Sequence, residues 1–327
     1  MRRKFPLVMA AAAAVVTLAA CSPTSAASGD ASDGPLTPVT VGVIPIVDVA
    51  PVYLGVQEGI FEDHGLDVTL ALAQGGADIV PAVVSGEYQF GFSNVTSLLA
   101  ASVGGQPLKV VTPGAFSTGQ PGDDFGAVVA RADSEIASAV DLPGHTVAVN
   151  SLNNIGDTTI RYVVDNAGGD PAAIEFVEMP FPDMPAAVAG GQVDAAWVVE
   201  PHLTRAVQEG AKIVSSNFVD TNADLLVAAY FTSDDEIAQD PDTVEAFTAA
   251  MEESLTFAQE HPAETRAVLD TYTEIDPVVK EVMTMPRFAS ELDASSLQLL
   301  ADLGLQYGMF DEAVDSSRLL PSPTPAG

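Results

Sequence analysis

Carboxylates, hydroxyls and carboxamides recur wherever a strand-like stretch gives way to a helix-like one. Asp48 stands in Ile46-Val47-Asp48-Val49-Ala50-Pro51, with Tyr53 just beyond it. Gln74-Gly75-Gly76-Ala77 offers bare backbone amides ahead of a helix, and Ser93-Asn94-Val95-Thr96 offers neutral hydrogen-bonding groups at another helix start. The same arrangement returns in Asn153-Asn154-Ile155-Gly156-Asp157-Thr158 and in Phe181-Pro182-Asp183-Met184-Pro185. Trp197, the single tryptophan, comes shortly before Glu200-Pro201. Groups of these types can hold a small polar molecule: amides at helix starts attract anions, hydroxyls bond neutral groups, carboxylates pair with cations, and rings stack. The candidate contacts are therefore Asp48, Tyr53, Gly75, Gly76, Ser93, Asn94, Thr96, Asn153, Asn154, Asp183, Trp197 and Glu200.

Each position also has a purely structural use. Asp48, Asn94 and Asn154 suit helix caps, a glycine pair suits a tight turn, and a lone tryptophan suits a core. No lysine or arginine falls in these loops. The four histidines, His64, His145, His202 and His261, are scattered without metal-ligand spacing, and no nucleophile–base pair is legible. Catalysis, a cofactor and a metal are accordingly not expected.

The elements that must position these loops alternate between strand and helix patterns. Strands are expected over Val39–Ile44, Leu66–Leu72, Tyr88–Phe92 and Leu108–Thr112, with helices from about Pro51 to Gly59 and over Ala77–Ser85. A second unit follows, with strands over Thr146–Val149, Ile174–Met179 and Ala195–Val198. Its helix carries Ile160, Val163, Val164 and Ala167 on one face. The units resemble each other: Pro81-Ala82-Val83-Val84-Ser85-Gly86 parallels Pro185-Ala186-Ala187-Val188-Ala189-Gly190, and Thr40-Val41-Gly42-Val43 parallels Thr146-Val147-Ala148-Val149. A repeat this long is no solenoid. It implies an α/β protein of two similar lobes, each a mostly parallel sheet flanked by helices, with ligand held where strand ends face each other. The expected division is a first lobe over 39–128, a second over 129–215, and a return to the first over 216–315. From Pro241 onward the pattern is helical, with Val244, Phe247, Met251 and Leu255 on one face.

The ends of the chain add a location. Met1-Arg2-Arg3-Lys4, an apolar run from Phe5 to Ala20 and the small residues before Cys21 describe a secretory signal over 1–20. Leu18-Ala19-Ala20-Cys21 resembles a bacterial lipobox, which implies acylation of Cys21 and anchoring on the outer face of the cytoplasmic membrane. Cys21 is the only cysteine, so no intramolecular disulfide forms. Residues 21–38 read as a flexible tether and 316–327 as a disordered tail. Three of the 12 basic residues lie in the signal, leaving nine against 45 acidic residues in the rest. Such a surface repels nucleic acid.

Several stretches in order carry a family likeness: Asp48-Val49-Ala50-Pro51-Val52-Tyr53-Leu54-Gly55 with Glu58-Gly59-Ile60-Phe61, then Gly75-Gly76-Ala77-Asp78 with Ser85-Gly86-Glu87. They continue in Leu142-Pro143-Gly144-His145-Thr146-Val147-Ala148-Val149, Gly190-Gly191-Gln192-Val193-Asp194-Ala195-Ala196-Trp197 and Glu200-Pro201. Between Val39 and Phe310 the chain resembles the SsuA/TauA-type solute-binding family, which includes receptors for aliphatic sulfonates, taurine, nitrate and thiamine pyrimidine precursors. The resemblance implies a type II periplasmic-binding fold, a monomer that captures a small solute and hands it to an ABC permease and its ATPase. Sulfonate receptors of the family often hold their anion with a basic side chain, which these loops lack. Asp48, Asp183 and Glu200 with Tyr53 and Trp197 suit a zwitterion or an aminopyrimidine. Two other readings share the fold: a pyrimidine-forming enzyme, whose reactive lysine and Cys-rich motif are missing here, and a surface solute sensor.

Overall fold

The computed structural model describes residues 35–320, so the expected signal, Cys21 and the end of the chain lie outside the described residues. Among the described residues ten strands form two five-stranded sheets. The first contains β1 (Thr37–Val43), β2 (Leu66–Leu72), β3 (Phe90–Asn94), β4 (Leu108–Phe116) and β10 (Leu226–Ser233), in the order β2-β1-β3-β10-β4. The second contains β5 (Gly126–Arg131), β6 (Thr146–Val149), β7 (Glu175–Glu178), β8 (Ala195–Val199) and β9 (Ala211–Ser215), in the order β7-β6-β8-β5-β9. β1 pairs in parallel with β2 and β3, as β6 does with β7 and β8. β10 and β5 each run antiparallel to both neighbours, so four strands of every sheet point one way. The repeat read from the sequence is this shared strand order.

Alternation of buried valines with the strand period places β1 in the core: Val39, Val41 and Val43 are all buried. Helix Pro241–Glu260 covers one face of the first sheet, and its Phe247 stacks on Phe90 at 3.7 Å between ring centroids. In the second lobe, Gly156 lets helix Ile155–Asn166 lie against the face of Trp197, because a Cβ there would stand 2.5 Å from the indole.

The chain crosses between sheets twice, over 117–125 and 216–225. The first crossing lies upstream of the division expected between Val128 and Val129. Gly126–Arg131 belongs wholly to the second sheet: its ladder with β8 runs on through Val128 and Val129, while its ladder with β9 shifts register there. β10 was not expected; its Leu-Val-Ala-Ala-Tyr-Phe-Thr-Ser is buried throughout, so no alternation marks it. Of the tail expected over 316–327, residues 316–320 are described and are packed on the body. Ser316–Leu319 forms a 3-10 turn, with Leu319 fully buried and Lys109 Nζ donating to the Arg318 carbonyl at 2.5 Å.

Candidate functional site

Eight buried side-chain polar atoms have no hydrogen-bond partner among the described residues. Buried polar groups are almost always paired, because an unpaired one costs about 1–3 kcal/mol. One of the eight, Ser134 Oγ, stands apart in a turn of the second lobe. The first lobe supplies Asp48 Oδ1, Ser93 Oγ, Thr96 Oγ1 and Tyr230 OH, and the second lobe with its crossover supplies Asn150 Oδ1, Trp197 Nε1 and Asn217 Oδ1. Loops from the two lobes meet beside them: a Cβ built on Gly75 would stand 3.7 Å from Ser151 Oγ and 4.0 Å from Asn150 Nδ2. Gly76, next to it, backs directly onto Ser93, and a side chain there would collide with the Ser93 hydroxyl.

Asp48 is the charged member. It lies in the 3-10 turn Val47–Val49, 2 % exposed, and its side chain caps neither that turn nor helix Ala50–Gln57. The helix-cap alternative therefore does not apply. Burial pushes its carboxyl up to about 7, opposed by its own backbone N–H and reinforced by the negative charge of Asp124. Aromatic hydroxyls gather nearby. Tyr230 carries an unpaired OH, and burial together with Asp48 holds its phenol well above the ordinary range. Tyr53 stacks on Tyr272 with centroids 3.8 Å apart, and Tyr272 OH donates to the Ile46 carbonyl at 3.1 Å. Burial pushes the Tyr53 phenol up to about 12.

Other sequence candidates are engaged inside the fold. Asn94 caps helix Val95–Val103 by accepting from Ser97 N at 2.9 Å. Asn154 caps helix Ile155–Asn166 in a capping box with Asp157. Glu200, a candidate ligand contact from the sequence, is 2 % exposed and fully engaged: it accepts from Thr204 Oγ1 at 2.7 Å, Thr204 N at 2.9 Å and Thr284 N at 3.2 Å. It thus links the second lobe to a segment paired with β4 through the Phe116–Arg287 bridge. Asn153 adopts a left-handed backbone (φ 52) and is exposed, and Asp183 is exposed too. The Trp197 ring is core, 3 % exposed between Phe181 and Phe218, and only its N–H is left unpaired. Asn217, Tyr230 and Tyr272 were not singled out from the sequence, because nothing in their surroundings marks a strand end.

A cavity of about 380 Å³ opens between the lobes, lined by Ile46, Gln74 and Tyr272 on one side and Phe181, His202 and Arg205 on the other. Burial pushes the His202 imidazole down to about 4, so it is neutral there. Arg205 is bound to Glu209 at 2.9 Å. A larger groove of about 740 Å³ lies beside Phe116, Asn222 and Asp293, and the residues that carry the orphaned atoms line neither cavity. Among the described residues no group of three or more His, Cys, Asp or Glu side chains could hold a metal, and no helix is long and apolar enough to cross a membrane.

Two sheets with matching strand order, two crossovers and an interlobe cavity define the two-lobed periplasmic-binding-protein fold. Solved structures agree. The ligand-binding component of an ABC-type import system from Staphylococcus aureus, with zinc bound, superposes with a TM-score of 0.75 at 13% identity, covering 87% of this chain and 96% of that one. The periplasmic aliphatic sulphonate-binding protein SsuA from Escherichia coli gives 0.72 at 17% identity over 89% and 94%. The sequence of the putative binding protein YtlA of Bacillus subtilis is 22% identical over 281 residues, 84% of this chain and 82% of YtlA. The NMT1/THI5-like family profile matches residues 46–265, and the chain belongs to that family.

Proposed function

We propose that this protein is an extracytoplasmic solute receptor of an ABC importer, anchored to the outer face of the cytoplasmic membrane through acylated Cys21. Its role is to capture a small solute between the lobes and deliver it to a permease driven by its ATPase. The observation that carries this reading is the set of orphaned buried polar atoms drawn from both lobes, groups that a bound solute would satisfy together. Closure then follows from a solute that binds both lobes at once and so favours the closed state over the open one. Membership of a family with binding proteins among its relatives supports the same role. The solutes in view are those of the sulfonate, taurine and nitrate type or aminopyrimidines. Binding rather than catalysis is the activity, and a monomer suffices for it.

The test is to purify the protein under native conditions, release any retained solute by denaturation, and identify it by mass spectrometry. Adding that solute back should raise Tm and compact the protein in small-angle scattering. A protein that retains nothing, and that neither acidic, basic nor neutral solutes stabilise, is not a receptor. The anchor is tested separately: Cys21→Ser should release the protein from membranes and abolish palmitate labelling.

A further inference from the structure

Two exposed leucines, one on each lobe, flank a place where the lobes meet. Leu72 closes β2 and is 59 % exposed; Leu152, in the loop after β6, is 46 % exposed. Gly75, just beyond Leu72, faces Ser151 and Asn150, which precede Leu152. Both leucines stand at the carboxyl ends of parallel strands, and Gln74, beside Gly75, lines the interlobe cavity. β2 is an edge strand of its sheet, and Leu152 N donates to Glu178 Oε2 of β7, an edge strand of the other, at 3.3 Å. The crossovers leave from β4 and β9, at the opposite edges.

A single exposed leucine needs no explanation. These two stand in the uncharged part of an acidic protein. The chain has 45 acidic and 12 basic residues, yet residues 68–77 and 142–156 include no Asp, Glu, Lys or Arg. Residues 234–260, by contrast, include nine acids and no base. The loop that carries Leu152 is also held in one shape. Asn153 is the one non-glycine residue at positive φ among those described, and its N–H donates to Asp157 Oδ2 at 2.9 Å. That backbone is strained for a residue with a Cβ, and it persists beside an exposed leucine.

Resting on the receptor reading above, we propose that Leu72 and Leu152, with the uncharged loops that carry them, form the surface on which the permease's extracytoplasmic loops dock, by apolar contact rather than by ion pairs. Lysine and arginine concentrate in the cytoplasmic loops of membrane proteins, so the outer loops offer few counter-charges to an acidic receptor. The core of a protein interface is depleted of charge, and the leucine-tipped rim meets that requirement beside the cavity. A second copy of the chain fits poorly. It brings the same formal charge of −33, and two short loops fall below the roughly 20–30 residues a side that a stable interface uses. A small contact suits a partner that the receptor must leave after delivery. Because each lobe supplies one leucine, a partner that touches both distinguishes the closed arrangement from the open one.

Photo-crosslinking of the full chain in its native host tests the surface. Benzoylphenylalanine is placed at Leu72, at Leu152 or, as a control, at Val103, which is 39 % exposed at the far end of helix Val95–Val103. Adducts from positions 72 and 152 are expected on outer loops of one and the same ABC permease, with none from position 103. Their yield in isolated membranes should hold from about 0.1 to 1 M salt, since no ion pair is involved. Leu72→Asp should lower the adduct at position 152 about tenfold and leave unchanged the Tm gain from the solute released by the purified protein. Adducts between two copies of the chain or with lipid alone, equal yields from positions 103 and 152, or a yield that collapses in salt overturn the proposal and leave the receptor reading standing. Loss of the Tm gain in Leu72→Asp overturns it too, by placing Leu72 in the solute site. Failure of the receptor reading shows separately, as a protein that retains no solute.

Discussion

The Asp124 carboxylate in the first crossover accepts a hydrogen bond from the backbone N–H of Val219 in the second, at 3.1 Å. The same carboxylate accepts from Ser117 Oγ at 2.7 Å, Phe125 N at 2.9 Å and Thr118 N at 3.1 Å. One buried side chain thus joins both segments that connect the lobes. Asp124→Ala should leave these donors unpaired and cost about 3 kcal/mol, read as a lower urea midpoint. Asp124→Asn should cost less, because an amide oxygen can still accept from part of the set. Equal stability of Asp124→Ala and the parent would show that the crossovers are held by other contacts.

Asp48 sets a pH dependence of opposite sense to an ordinary paired carboxylate. Its folded pKa, about 7, lies above the unfolded value, so the unfolded state releases the proton first as pH rises. The cost to solute-free stability is therefore absent below about pH 4, grows between there and about 7, and is complete above. Asp48→Asn should stabilise the solute-free protein at pH 8, by at most about 4 kcal/mol, and leave it unchanged at pH 3.5. Urea melts of both proteins across that range check this, and a gap that does not depend on pH would contradict it.

The sequence carried the lobes because their strands either alternate or are β-branched: Leu66–Leu72 and Thr146–Val149 were legible residue for residue. β10 was not, since a strand buried on both faces has no period. At the site, residue type and position were visible but partnership was not. Asn94 and Thr96 look alike in Ser93-Asn94-Val95-Thr96, yet one caps the helix and the other is left unpaired. Only side-chain geometry separates Glu200, which ties two lobes, from Asp48, which ties nothing. Asn217 was hidden because the hydroxyl it bonds, that of Thr159, is 58 residues away.

Trp197 combines two roles that different substitutions should separate. Its ring packs on Phe181 and Phe218 with centroids 5.4 and 5.6 Å away, so Trp197→Ala should cost about 3–5 kcal/mol in unfolding. Trp197→Phe retains most of the ring packing and removes the unpaired N–H. It should lower affinity for the retained solute about fivefold while keeping a cooperative urea transition. Unchanged affinity in Trp197→Phe would confine this residue to the core.

A clasp remote from the cleft should contribute to closure. At the C-terminal end of helix Ala294–Gln306, which belongs to the first lobe, Gln306 Nε2 and Tyr307 OH both donate to Asp165 Oδ2 of the second lobe, at 3.2 and 3.1 Å. Asp165 and Gln306 are exposed and Tyr307 is half-buried, so the contact contributes about 0.5–1 kcal/mol at most. In a two-state equilibrium that difference shifts the ratio of closed to open forms about twofold to fivefold. Asp165→Ala should therefore raise the solute-free radius of gyration in small-angle scattering and weaken solute binding by a similar factor, with little change in unfolding free energy. Tyr307→Phe should move both observables the same way but less, since Gln306 remains. If Asp165→Ala leaves the scattering profile and the affinity untouched, the clasp forms only as a consequence of closure and does nothing to favour it.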